Sequence, residues 1–235
     1  GGNEVMVNAR VRVAPEFRHD LAGGEWWVAG AEKRKAVVVA GGPDTSGAAA
    51  VEDREKYGWP RIYIVDPWVK VWDTNLDAEA IQPASARVAG LISKMDNDRG
   101  FWWSPSNQVI NGIIGTARGV DFALGDFNCR ANHLNENEVG TISQEEGYRL
   151  WGNRSCATDP KWAFLCVRRT ADMIQESLLA AHLWAVDRAI SKTYIEDVRE
   201  GVDRYLRHLK KMGAILGGSC WIDEEINSKD QIAQG

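Results

Sequence analysis

The chain of 235 residues contains no apolar run long enough to cross a membrane. Its apolar runs, such as those at residues 36–40 and 62–65, fall far short of the roughly 20 residues that a membrane-spanning helix requires. Acidic residues outnumber basic ones, 33 against 28, for a net charge of -5. Such a chain exerts no overall attraction on anionic lipid or nucleic acid. We therefore expect neither a membrane nor a nucleic acid among its partners.

Cysteine and histidine are scarce, with four of each. No two cysteines form a CxxC pair, and no secretory apolar segment precedes them, which favours a reduced, intracellular compartment. Cys129 and His133 are four residues apart, but without a second ligand pair they indicate a buried thiol and an unrelated imidazole. No GxSxG-type motif presents a nucleophile. We predict no catalytic residue, no metal and no cofactor.

Tryptophan, in contrast, is abundant, with 11 residues. Tryptophan side chains bury large areas in cores or at interfaces. Together with the missing catalytic motifs, this abundance suggests a protein that packs against other subunits.

The segment 36–65 carries the clearest structural pattern. An apolar run at 36–40 is followed by a turn-rich stretch at 41–47, helix-forming residues at 48–57 and a second strand candidate at 61–65, in which Arg61 precedes an apolar run. This order is typical of a βαβ unit with a right-handed crossover. It predicts an α/β fold whose mixed, largely parallel sheet is flanked by helices on both faces.

Further elements are expected along the rest of the chain. Helices are predicted at 78–95, with Pro83 in the first turns, at 170–186 and at 194–212. A capping box of Thr193 and Glu196 begins the last of these helices, and Gly213 ends it. Short strands are predicted at 139–142, 149–151, 162–167, 214–216 and 219–222, and an ordered loop at 100–111. Residues 36–235 are expected to form one compact domain. Residues 1–35, interrupted by Gly23, Gly24 and Gly30, form an N-terminal segment whose arrangement the sequence leaves open.

The loop from Gly41 to Gly47 suggests an alternative function. It follows a strand and precedes a helix, where backbone N–H groups favour a phosphate. The loop lacks the Lys-Ser/Thr of a P-loop and the GxGxxG spacing of a dinucleotide site, so a structural turn is favoured. The alternative is an α/β enzyme that binds a phosphate or nucleotide at this loop.

Six motifs in fixed order resemble the tail sheath protein of contractile bacteriophage tails and R-type pyocins. They are DPWVKVWD (66–73), GFWWSPSN (100–107), GIIGTAR (112–118), YRLWGNR (148–154), VRRTAD (167–172) and HLWAVDR (182–188). The resemblance covers residues 36–235. Members of the family have, in addition, an N-terminal region and a C-terminal strand extension that these residues do not include.

The resemblance implies a structural subunit and not an enzyme. Six copies form a ring, and rings stack helically around an inner tail tube and contract without nucleotide to drive the tube through a cell envelope. Strands from the terminal extensions join neighbouring subunits by completing one another's sheets, so we expect the chain without these arms not to polymerise by itself. The implied partners are other sheath subunits, the tube protein, the baseplate and the tail terminator. The implied location is a virion tail or a phage-tail-like bacteriocin particle, assembled in the bacterial cytoplasm.

The resemblance also suggests which residues serve the assembly. It assigns tube attachment to the predicted helix 194–212, whose basic end carries Arg204, Arg207, Lys210 and Lys211; the alternative is a solvated face that complements the helix dipole. The motifs contribute residues that are either intersubunit contacts or structural: Trp102, Trp103, Asn107, Trp151, Asn153, Arg154, Arg168 and Arg169. In the structural interpretation the tryptophans anchor core or loops, the asparagines bond turn backbone, and the arginines pair with Asp172 or Asp187.

Overall fold

The computed structural model describes residues 10–14 and 21–223. It divides into two compact units, Gly1–Arg169 and Thr170–Gly235, which we describe separately. In chain order the elements are β1 (Val11–Ala14), α1 (Leu21–Lys33), β2 (Val37–Gly41), α2 (Gly47–Glu55), β3 (Ile62–Val65), β4 (Val69–Asp73), β5 (Ala78–Gln82), α3 (Ala84–Asp98), β6 (Gly115–Thr116), α4 (Arg130–Glu136), β7 (Val139–Gln144), β8 (Tyr148–Trp151), α5 (Leu165–Ala181) and α6 (Lys192–Lys211). The domain predicted over residues 36–235 stays a prediction.

The first unit is built on a five-stranded sheet with the order β1-β2-β3-β7-β8. The first four strands are parallel, and β8 pairs antiparallel with β7. The crossover from β2 through α2 to β3 is the predicted βαβ unit, with Val38 opposite Ile62. The predicted mixed, largely parallel sheet is therefore confirmed.

Both faces of this sheet are covered, because alternate residues of the central strands enter two different cores. Val37 and Val39 of β2 pack with α3 residues such as Val88 and Ile92. Val38 packs on the other face, in a core that includes residues of α1, α2 and α4. Burial on both faces explains why these strands are continuous apolar runs and do not alternate with polar residues.

A second, three-stranded antiparallel sheet has the order β5-β4-β6. It corrects the helix predicted at 78–95, because residues 78–82 form β5 and the helix α3 begins only after Pro83, its N-cap residue. The turn before β5 is closed by Asp73, whose carboxylate accepts the backbone N–H of Asn75 at 2.8 Å and of Leu76 at 3.3 Å. This turn directs residues 78–82 back along β4.

Three other strand predictions are wrong. Residues 162–167 contain the end of a 3-10 turn (Pro160–Trp162) and the start of α5. Residues 214–216 and 219–222 form no strand among the described residues; instead, the Cys220 N–H donates to the Asp203 carboxylate of α6 at 2.7 Å. Conversely, the N-terminal segment contributes β1 and α1 to the first unit, neither of which the sequence predicted.

Candidate partner-binding surface

The helix α6 is held at both ends by capping interactions of its own unit. The Ser191 hydroxyl accepts the backbone N–H of Tyr194 at 3.2 Å, so the N-cap is Ser191 and not the predicted Thr193. At the other end Gly213 adopts a φ of 78°. The Ala214 N–H donates to the Leu209 carbonyl at 2.9 Å and the Gly213 N–H donates to the Lys210 carbonyl at 3.0 Å. This is the two-bond Schellman end, which requires a left-handed residue.

Arg204, Arg207, Lys210 and Lys211 are all exposed on α6. At 3.6 residues per turn, Arg204, Arg207 and Lys211 lie within about 60° of one another, and Lys210 lies about 60° beyond Arg207. None of the four forms an ion pair with another described residue. Leu209 is buried on the opposite side of the helix. The structure therefore brings the predicted basic residues together on one solvated face.

The same face carries acidic residues in its first half, which the sequence analysis did not single out. Glu196, Asp197 and Glu200 are exposed, and each lies within about 80° of Arg204 around the helix axis. The spacing of four residues from Glu196 to Glu200 to Arg204 is visible in the sequence and could have indicated this arrangement. The exposed face of α6 thus changes sign along its length.

The motif arginines make contacts inside the first unit. Arg169 forms an ion pair with Asp96 of α3, and the Arg168 guanidinium lies 3.9 Å from the centre of the Trp162 ring. The Arg154 guanidinium lies 5.3 Å from the centre of the Phe164 ring. Pairing with Asp172 or Asp187 is therefore wrong for Arg154 and Arg169 in the described part of the chain. Asp96 is more than 70 residues from Arg169 in sequence, so local spacing gave no sign of the pair.

Two motif tryptophans occupy different environments in the loop after α3. Trp102 is partly buried and packs edge-on against Phe101, with ring centres 5.0 Å apart. Trp103 is 45% exposed, and the Arg99 guanidinium lies 5.0 Å from the centre of its ring. Trp102 therefore packs within the loop, whereas Trp103 presents a large part of its ring to the surface.

The remaining motif residues surround β8. Trp151 packs edge-on against Phe122 at 4.7 Å between ring centres. Asn107 adopts a φ of 59°, a left-handed conformation that asparagine tolerates well. Its N–H donates to the Leu150 carbonyl at 2.6 Å. The Asn153 side-chain amide donates to the Cys166 sulfur at 3.0 Å. The structure thus gives each of these motif residues an internal contact.

The loop after β2 is organised by carboxylates. Asp66 is fully buried, accepts the Asp44 N–H at 3.1 Å and pairs with Arg118. Burial raises the pKa of the Asp66 carboxyl, and Arg118 opposes this shift. The Asp44 carboxylate accepts the Trp68 N–H at 2.9 Å, and the Trp68 indole donates to the Gly42 carbonyl at 3.0 Å. A phosphate at this loop would meet carboxylates, so the loop is a structural turn.

The described residues hold no group of three or more His, Cys, Asp or Glu side chains placed to bind a metal ion. None of the helices in the described part of the chain has the length and apolar character needed to span a bilayer.

The described chain thus consists of an α/β unit with helices on both faces of its sheet and, later in the sequence, a helix with an exposed, charged face. Comparison with known proteins identifies the class. The model of the phage tail sheath protein central domain matches residues 26–156, and the model of the phage tail sheath C-terminal domain matches residues 157–235. The chain belongs to the phage tail sheath protein family.

Individual relatives agree with this assignment. A putative prophage major tail sheath protein of Pseudomonas aeruginosa (strain UCBPP-PA14) is 43% identical over the whole chain, and the tail sheath protein of Escherichia phage P2 is 34% identical over 77% of it. The chain spans 61% and 46% of the length of these two relatives. The contracted helical sheath of the anti-feeding prophage shares the fold, with a TM-score of 0.72 and 24% identity over 90% of this chain and 58% of that one.

Proposed function

We propose that this protein is the structural subunit of a contractile tail sheath and not an enzyme. The observation that carries the proposal is the match to sheath central and C-terminal domains, one after the other, across residues 26–235. In this proposal six copies form a ring, and rings stack helically around an inner tube. Contraction exchanges one packing of rigid subunits for another and drives the tube through a cell envelope without nucleotide.

The proposed partners follow from this role. They are further sheath subunits, the tube protein, the baseplate and the tail terminator, and the proposed location is the tail of a virion or of a phage-tail-like particle assembled in the host cytoplasm. A resolved relative of this fold is itself a helical sheath in the contracted state. Among the motif residues, Trp103 is the tryptophan we propose for contact with a neighbouring subunit, because 45% of it is exposed.

We propose that α6 attaches the sheath to the tube through Arg204, Arg207, Lys210 and Lys211. These side chains are exposed and have no ion-pair partner within the described residues, so they are available to a partner. Exposed ion pairs each contribute only about 0–1 kcal/mol. Several such pairs hold two surfaces in register and can still be given up when the sheath contracts.

The test reverses two of these charges in the complete protein. The variant with Arg204→Glu and Arg207→Glu should fail to form extended sheath on tubes, because attraction becomes repulsion, and should still form contracted polymers of sheath alone. The measurement is co-sedimentation with assembled tubes, followed by electron microscopy. Lys33→Glu with Lys161→Glu is the matched control, since both residues are exposed and lie outside α6. Unchanged co-sedimentation of the first variant would contradict tube attachment by α6.

A further inference from the structure

The exposed face of α6 carries a line of charged residues whose sign changes from acidic to basic after Glu200. Glu196, Glu200, Arg204, Arg207 and Lys211 follow one another at spacings of four, four, three and four residues, and all five are exposed. These spacings place neighbouring side chains on one side of a helix. The face is therefore basic at its first residue, Lys192, acidic at Glu196 and Glu200, and basic from Arg204 to the end of the helix.

Interactions inside the helix do not account for this pattern. The helix dipole acts mainly on the first and last turns, whereas Glu200, Arg204 and Arg207 lie further in. Glu200 and Arg204 have the spacing of a stabilising pair, but they form no ion pair with each other in the described chain. Glu196 instead pairs with Lys192, at 3.9 Å. The charges in the middle of the line are thus directed to solvent.

The two halves are far enough apart to act separately. Their centres, near residues 198 and 207, are separated by about 14 Å along the axis at a rise of 1.5 Å per residue. The Debye length at physiological ionic strength is about 8 Å. Each half therefore interacts mainly with the charges directly opposite it.

We propose that α6 recognises a partner surface with two patches of opposite charge, a basic patch facing Glu196 and Glu200 and an acidic patch facing Arg204, Arg207 and Lys211. This inference rests on the proposed attachment to the tube and specifies the chemistry of the tube surface. A uniformly acidic surface would repel Glu196 and Glu200. A two-patch surface accepts α6 in one direction only, so the helix sets the direction of each sheath subunit on the tube.

The deciding variant is Glu196→Lys with Glu200→Lys in the complete protein, tested by co-sedimentation with assembled tubes of the same particle. If the tube surface has two patches, this variant should bind about tenfold more weakly, because attraction at the first patch becomes repulsion. If the surface is only acidic, the added lysines should strengthen binding. Binding that is stronger or unchanged would overturn the inference.

Two controls separate charge pattern from net charge. Glu52→Lys with Glu55→Lys makes the same change in net charge at exposed positions of α2 and should bind as the unmodified protein does. A fourfold variant, with Glu196→Arg, Glu200→Arg, Arg204→Glu and Arg207→Glu, keeps the net charge but reverses the direction of the pattern. It should lose binding, and binding equal to that of the unmodified protein would overturn the inference. Circular dichroism confirms that each variant keeps its helix.

The tests also separate this inference from the attachment on which it rests. If Arg204→Glu with Arg207→Glu binds normally, attachment through α6 is wrong and the inference is overturned with it. If that variant loses binding while Glu196→Lys with Glu200→Lys binds more tightly, attachment stands and only the two-patch surface is wrong.

Discussion

Asp66 is the buried charged residue that joins the loop after β2 to the strand β3. It has no exposed surface, it accepts a backbone N–H from Asp44, and it pairs with Arg118. Gly42 lies so close that a Cβ there would be 2.7 Å from the Asp66 Cβ. A carboxylate enclosed in this way loses hydration, which disfavours its charged form. Burial therefore raises the pKa of Asp66, although Arg118 opposes the shift.

Asp66→Asn should therefore change how stability depends on pH. Since the folded pKa of Asp66 is raised above the unfolded value of about 3.9, its stabilising contribution is fully present below pH 3.9 and is lost as pH rises through the folded pKa. Asparagine does not ionise. The free energy of unfolding of the original protein, minus that of the variant, should fall as pH rises from about 4 and then level off. Urea unfolding at a series of pH values measures this difference.

Asp121→Asn is the matched control at the residue scale, because Asp121 is exposed and pairs with the exposed Arg130 at 3.2 Å. We expect Asp121→Asn to change the free energy of unfolding by at most about 1 kcal/mol, since an exposed pair is weak. A difference for Asp66→Asn that rises with pH would contradict the prediction, because it would mean that Arg118 outweighs burial and lowers the Asp66 pKa.

At the scale of elements, the start of α6 can be tested with two neighbouring hydroxyl residues. Ser191→Ala should destabilise the first turn of α6 by about 1 kcal/mol, the usual cost of removing an N-cap side chain, because the Ser191 hydroxyl accepts the Tyr194 N–H. Thr193→Ala should change the stability of this turn little, since Thr193 lies inside the helix and is exposed. Hydrogen exchange at the backbone amides of α6 is the measurement. A larger effect for Thr193 than for Ser191 would contradict the observed cap.

The elements also show which parts of the fold sequence reasoning could reach. The unit of β2, α2 and β3 was predictable because strands buried on both faces must be apolar throughout, and because the glycines mark the turn between them. The strand β5 was not predictable from the sequence, because Ile81 and Ala84 have the spacing of residues on one face of a helix. In the structure Ile81 is 54% exposed and belongs to a strand. What decides between strand and helix there is the pairing with β4, a contact that local spacing does not contain.

Only part of the candidate surface on α6 could be predicted from the sequence. The clustering of basic residues at the end of α6 follows from helical periodicity, which needs only the sequence. Whether Glu200 and Arg204 pair with each other or face solvent depends on side-chain conformation, which periodicity does not determine. The ion pair of Asp96 with Arg169 joins residues far apart in sequence, so it becomes visible only in the folded unit.

At the scale of the whole molecule, the proposed function depends on contacts between identical chains. Contacts that join different surfaces of neighbouring copies and do not close into a ring build helical polymers. The chain spans 61% of the Pseudomonas relative, and in the proposed assembly the connecting strands come from the terminal arms. Negative-stain electron microscopy should therefore show dispersed particles for the 235 residues and tubes or stacked rings for the complete protein. Tubes formed by the 235 residues alone would contradict assembly through the arms, and dispersed particles in both samples would contradict the sheath proposal itself.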